Sequence, residues 1–178
     1  FIYKFLNDKF LYQAQVLDAG NTYENLLTMS EEDYDWLLED IGTSTAWLKP
    51  DQLIETLHRQ QNEATFYETF ENTLNQIAID NNDIFSVHTD GNTAIRLFDE
   101  RLITDNISDS SKRNEVAKAI INLLTRVKFD ETIFSQGFDF FSTLFEYMIK
   151  DYNKDGGGKY AEYYTPHSVA KIIADILV

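Results

Sequence analysis

Residues 109–127, DSSKRNEVAKAIINLLTRV, decide the fold class, because their apolar positions recur with the period of a helix and not of a strand. Val116, Ile120, Leu123, Leu124 and Val127 fall three or four residues apart, on one stripe of a 3.6-residue turn. Asp109, Ser110 and Ser111 stand just ahead of that stripe. Short oxygen-bearing side chains in that place accept hydrogen bonds from the free N–H groups of a first helical turn. A capped amphipathic helix is stable only when its apolar stripe is covered, so the rest of the chain must supply partners.

Working outward, the same period returns on both sides. Toward the C-terminus, Phe138, Phe141, Leu144, Phe145, Met148 and Ile149 form a second stripe. Toward the N-terminus, Phe66, Tyr67, Phe70, Leu74 and Ile77 form another, and Leu53, Ile54 and Leu57 continue a helix that Pro50 opens, proline being tolerated in a first turn. Ser30, followed by Glu31, Glu32 and Asp33, reads as a capping box that starts a short acidic helix through Tyr34, Leu37 and Leu38, ending before Gly42. Thr43 to Thr45 then make a turn. Phe1, Ile2, Phe5, Leu6, Leu11 and Tyr12 lie on a first helix that Gly20 stops. Residues 77–96, IAIDNNDIFSVHTDGNTAIR, carry short apolar runs between Asn, Asp and Gly and read mostly as loop. The expected fold is all-α: a helical bundle over residues 1–153, then a glycine-rich hinge at Gly156, Gly157 and Gly158 and a last segment, with the second part spanning 154–178.

Composition bounds the function. With 178 residues, 43% hydrophobic, the chain has enough apolar surface for a core. Fifteen Lys and Arg against thirty Asp and Glu leave a formal charge of −15, the opposite of the basic footprint with which a domain holds phosphates unaided. Any contact with DNA then needs positive charge from other surfaces. The absence of cysteine excludes disulfides and thiolate metal sites and suits a reducing cytoplasm. No uncharged apolar run approaches the roughly 20 residues of a bilayer crossing, so no membrane partner is expected. Phe1 is not an initiator methionine and SVAKIIADILV ends on an apolar stripe, so the chain reads as part of a longer protein.

Residues 151–172, DYNKDGGGKYAEYYTPHSVAKI, admit two chemistries. Asp151, Asn153, Asp155, Gly156 and Glu162 occupy the oxygen-ligand, turn-glycine and bidentate-glutamate positions of an EF-hand loop. Against this, Gly157 and Gly158 make the loop slack, and Tyr163-Tyr164-Thr165-Pro166 interrupts the helix that should follow the glutamate. The other acidic runs do not repeat the pattern. A calcium-binding helical interaction module with its loop at 151–162 is therefore the alternative reading, and no residue is assigned as a metal ligand. In the second chemistry, Thr165 is the N-cap and Pro166 the first residue of a helix with Val169, Ile172, Ile173, Ile176 and Leu177 on one face. Its free N–H groups, its dipole and the threonine hydroxyl make a receptor for a carboxylate or phosphate, and neighbouring tyrosine rings can wall a ligand.

Other candidates are weaker. His58, His88 and His167 are too dispersed for a metal site or triad, and the first two read as surface residues. The carboxylates of EEDYDWLLED, residues 31–40, read as a solvated helix face suited to a basic partner, not as a general acid/base pair. Trp36 and Trp47 read as anchors of the core, or else of an interface. Lys112, Arg113, Lys118, Arg126 and Lys128 form the nearest approach to a basic stripe for phosphates.

The string GKYAEYYTPHSVAKIIADIL, residues 158–177, resembles the segment that opens the methyltransferase core in modification (M) subunits of type I restriction enzymes, where a Gly-Glu-Phe-Tyr-Thr-Pro-like run precedes a helix. FDFFSTLFEYMIKDY, residues 138–152, resembles the helix that family places before it, and the acidic helices upstream resemble its N-terminal helical domain. Ala161 and Tyr163 stand where the family often has glycine and phenylalanine. The resemblance implies S-adenosyl-L-methionine-dependent methylation of adenine N6 in DNA, with Glu162, Tyr163, Tyr164, Thr165, Pro166 and His167 as the cofactor-contacting run. It implies DNA, a specificity subunit and a restriction subunit as partners, in a bacterial or archaeal cytoplasm. Neither a glycine-rich strand-to-helix turn nor an Asn-Pro-Pro-aromatic string occurs, so no catalytic residue is expected and the chain should not methylate DNA by itself.

Overall fold

The computed structural model describes residues 1–85, 97–98, 100–129, 131–135, 165 and 167–177. Every regular element among them is helical, as the apolar periods require. The chain divides into two compact units, Phe1–Glu131 and Thr132–Val178. The expected boundary at 153/154, the hinge at 156–158, the helix over 138–149 and the loop 151–162 lie outside the described residues.

In the first unit α1 (Ile2–Leu17) buries Tyr3, Phe5, Leu6, Phe10 and Ala14 and packs on α3 (Glu31–Ile41). Between them α2 (Tyr23–Thr28) is a short helix capped by Thr22, whose side chain accepts from the Asn25 N–H. At α3 the side chain of Ser30 accepts the Asp33 N–H at 3.2 Å, and the helix stops at Gly42, whose φ of +56° turns the chain out of the helix. Tyr34, Leu37 and Ile41 face inward, whereas Glu31, Glu32, Asp33, Asp35, Trp36, Glu39 and Asp40 stay exposed. The acidic face is thus solvated, as expected of a run of like charges.

One expected helix is two elements. Pro50–Gln52 is a single 3₁₀ turn and α4 (Ile54–Gln60) begins only after Leu53, which is extended at φ −73° and ψ 142°. Three side chains hold this break open, the segment's own Gln52 and the distant Asn7 and Asp80. The Lys49 N–H donates to Gln52 Oε1 at 2.8 Å, Gln52 Nε2 donates to Asp80 at 3.0 Å, and the Ile54 N–H donates to the buried Asn7 Oδ1 at 2.9 Å. With its backbone groups satisfied by side chains, the segment has no need of the helical ladder.

The central pair is α5 (Phe66–Asp80) and α8 (Ser110–Arg126), with α4 and α7 (Leu102–Asn106) also packed on α8. Asp109 caps α8 by accepting the Ser111 N–H at 3.0 Å. The buried stripe of α8 is Ala117, Ile121 and Leu124. Val116 and Ile120 flank it half-buried, and Leu123 is exposed, so the face is rotated by about one position from the one its largest side chains suggest. Small Ala117 lets α8 approach its neighbours closely.

Residues 77–96 read mostly as loop, but their first four complete α5 and Asn82–Phe85 form the one-turn α6. Residues 86–96 lie outside the described ones. The core around Phe10, Phe66, Phe70, Leu48, Leu57 and Ile77 is closed by ring contacts such as Tyr3 on Phe70, edge to face at 6.4 Å. α9 (Glu131–Ser135) begins at the last residue of the first unit, and in the second unit α10 (His167–Leu177) is a three-turn helix.

Candidate functional site

Of the expected cofactor-contacting run, Thr165 is exposed and lies two positions before His167, the first residue of α10. Glu162, Tyr163, Tyr164 and Pro166 lie outside the described residues. The first turn of α10 carries no acidic residue, so no carboxylate within that turn opposes an anion. Val169, Ile172, Ile173 and Ile176 are all exposed, 43 to 76% in relative terms, so the apolar stripe of α10 is uncovered. What Thr165 and α10 supply is a hydroxyl close to a helix N-terminus, groups of the kind that hold an anion.

The remaining candidates sort by their contacts. His58 is half-buried, not superficial, with Nε2 3.1 Å from Asn122 Oδ1, and so ties α4 to α8. His88 lies outside the described residues. The basic stripe is largely committed to structure. Arg113 donates to the carbonyls of Ile107 and Thr104 and lies over the Tyr67 ring, and Lys112 pairs with Asp109 at 3.8 Å. Hydrogen bonds from the Ser111 side chain and N–H hold the Asp109 carboxyl below its usual range. Lys118 is half-buried, which leaves Arg126 and Lys128 exposed at one end of α8. Trp47 is half-buried with Nε1 donating to the Gly42 carbonyl at 2.6 Å, but Trp36 is 62% exposed and belongs to no core. The reason is register: Tyr34, Leu37 and Ile41 already fill the buried side of α3, and Trp36 falls opposite them.

Sequence reading missed the buried polar clamps. Asn81 accepts the Trp47 N–H at 2.6 Å and returns Nδ2 to the Trp47 carbonyl at 2.8 Å, pairing with that backbone as a strand would. Glu71, 7% exposed, caps α7 by accepting the N–H groups of Ile103 and Thr104 at 2.6 Å each. Asp80 gathers Gln52, Gln76 and Lys49. Burial would raise its carboxyl, and those hydrogen bonds with the Lys49 charge outweigh it and hold the group below its usual range. No signal in single-residue periodicity marks such residues, because their partners are tens of positions away. Their work is structural. Among the described residues no three His, Asp or Glu side chains are grouped to hold a metal ion, and no helix is long and apolar enough to cross a membrane.

No curated protein and no solved structure matches the chain. Residues 136–178 match the family model described as N-6 DNA Methylase, a stretch that contains the Tyr164-Thr165-Pro166 string and the whole of α10. That match supports a relationship of the chain to the adenine-N6 DNA methyltransferases.

Proposed function

We propose that the chain is the N-terminal DNA-clamping and subunit-assembly region of a type I restriction-modification M subunit, running to the first cofactor-contacting motif of its adenine-N6 methyltransferase domain. The observation that carries this reading is the N-6 DNA Methylase match beginning at residue 136, after an all-helical first unit. Its partners are then DNA, the specificity subunit and the restriction subunit, in a bacterial or archaeal cytoplasm. S-adenosyl-L-methionine supplies the methyl group when bound. The Thr165 hydroxyl and the α10 terminus would hold its carboxylate, and Glu162, Tyr163, Tyr164, Pro166 and His167 would be the other residues of the cofactor-contacting run. With −15 net charge, the first unit meets DNA only through local cations such as Arg126 and Lys128, or in company with more basic subunits.

The test is calorimetric titration of S-adenosylmethionine into the protein that carries this chain together with the rest of its methyltransferase domain. Thr165→Val weakens binding by about 1 to 3 kcal/mol, the cost of leaving a charged oxygen without its donor. The 178-residue chain alone transfers no methyl group to DNA. Unchanged affinity in the variant refutes the helix-terminus role, and methylation by the chain alone refutes the division of labour.

A further inference from the structure

An apolar groove of about 340 Å³ opens where α2 turns into α3, within the size range of specific binding pockets (roughly 300 to 1,000 Å³). Leu26, Met29, Tyr34, Leu38 and Pro50 form its walls. The Tyr34 ring is locked in place, since its hydroxyl donates to the Leu48 carbonyl at 2.5 Å, whereas Met29 is half-buried and unbranched and can adapt to a guest. Glu31, Asp35 and Asp51, all exposed, stand on the rim. None of the three has an ion pair among the described residues. Lys49, the one cation lining the groove, is held at 3.1 Å by Asp80 and is not available to neutralise them.

We propose that this groove docks a basic amphipathic segment of a partner polypeptide, with an apolar side chain seated among Leu26, Met29 and Leu38 and flanking Lys or Arg side chains on Glu31, Asp35 and Asp51. Three separated carboxylates around an apolar floor match cations displaced by a helical turn or so from an apolar anchor, which is the layout of an amphipathic helix. The same carboxylates repel phosphates, so this side of the first unit faces protein and not nucleic acid. The proposal stands whether or not the methyltransferase reading holds, since it uses only residues of the first unit.

The experiment is fluorescence anisotropy on the full 178-residue chain, with a labelled peptide of leucines and lysines at helical spacing and a second peptide in which glutamate replaces every lysine. The lysine peptide binds, weakens as salt rises, and exceeds the glutamate peptide by about tenfold or more. Because a chain of this charge attracts any cation, the location is decided by two variants. Glu31→Gln/Asp35→Asn/Asp51→Asn abolishes the preference, whereas Glu63→Gln/Glu68→Gln/Glu115→Gln, which removes three exposed charges that do not line the groove, leaves it in place. Leu38→Ala, at a half-buried position the helix tolerates, weakens the lysine peptide at unchanged helicity. Equal loss in both triple variants, equal binding of the two peptides, or no binding of the lysine peptide overturns the proposal.

Discussion

Tyr3 and Tyr34 show how single side chains govern the first unit. Their hydroxyls donate to the carbonyls of Gln52 and Leu48, at 2.6 and 2.5 Å, and so tether the second half of the irregular segment between α3 and α4. Burial pushes both phenols up from the ordinary value of about 10, with the Glu55 and Asp51 carboxylates adding to the effect at Tyr3 and Asp51 at Tyr34. In the unfolded chain the phenols ionise near the ordinary value, and in the folded chain only well above it. Their contribution is therefore whole below pH ~10 and is lost as pH rises beyond it, because the unfolded state alone gives up the protons. Urea unfolding at pH 8 and pH 11 checks this: the midpoint falls at the higher pH, and falls less in Tyr34→Phe, which starts lower by roughly 1 kcal/mol for its lost hydrogen bond. A pH dependence identical in wild type and variant would count against the assignment.

At the scale of elements, helix ends were the most legible features. Ser30 and Asp109 are N-caps where short polar side chains precede apolar stripes, and Gly42 ends α3 as expected. Gly42 holds φ +56° and ψ −135°, a conformation that side-chain-bearing residues rarely adopt. Gly42→Ala loses about 1 to 3 kcal/mol in chemical denaturation, although the added methyl would meet nothing nearer than the Glu39 carbonyl oxygen at 3.8 Å. A loss below about 0.5 kcal/mol, the range of ordinary surface substitutions, would show that the turn relaxes. Less legible was the break at Leu53, since it depends on Asn7 and Asp80, which are far away in sequence. The rotated face of α8 was hidden for a related reason. Which stripe of a helix is buried depends on how closely its neighbours approach, and Ala117 is small enough to sit at that contact.

At the scale of the molecule, every large side chain that is fully buried among the described residues belongs to Phe1–Glu131. That unit carries its own hydrophobic core and its own polar clamps. A polypeptide ending at Glu131 therefore unfolds in one cooperative transition, at a midpoint close to that of the first unit in the whole chain, as followed by circular dichroism and calorimetry. A broad, non-cooperative melt would show that the core borrows support from the rest. For the candidate site, α10 starts at His167 and Thr165 is exposed two positions before it.

Period, capping chemistry and charge are local properties, and from them followed the all-helical class, both ends of α3, the start of α8 and the solvated acidic face. Local properties act between residues three or four apart, which a reader of one chain can see. The exposure of Trp36, the backbone pairing made by Asn81, the capture of His58 by Asn122 and the acid-rimmed groove between α2 and α3 were decided by packing alone. Each joins groups brought together only when the helices close on one another, and hydrogen bonds and apolar contacts fall off within a few ångströms irrespective of sequence order.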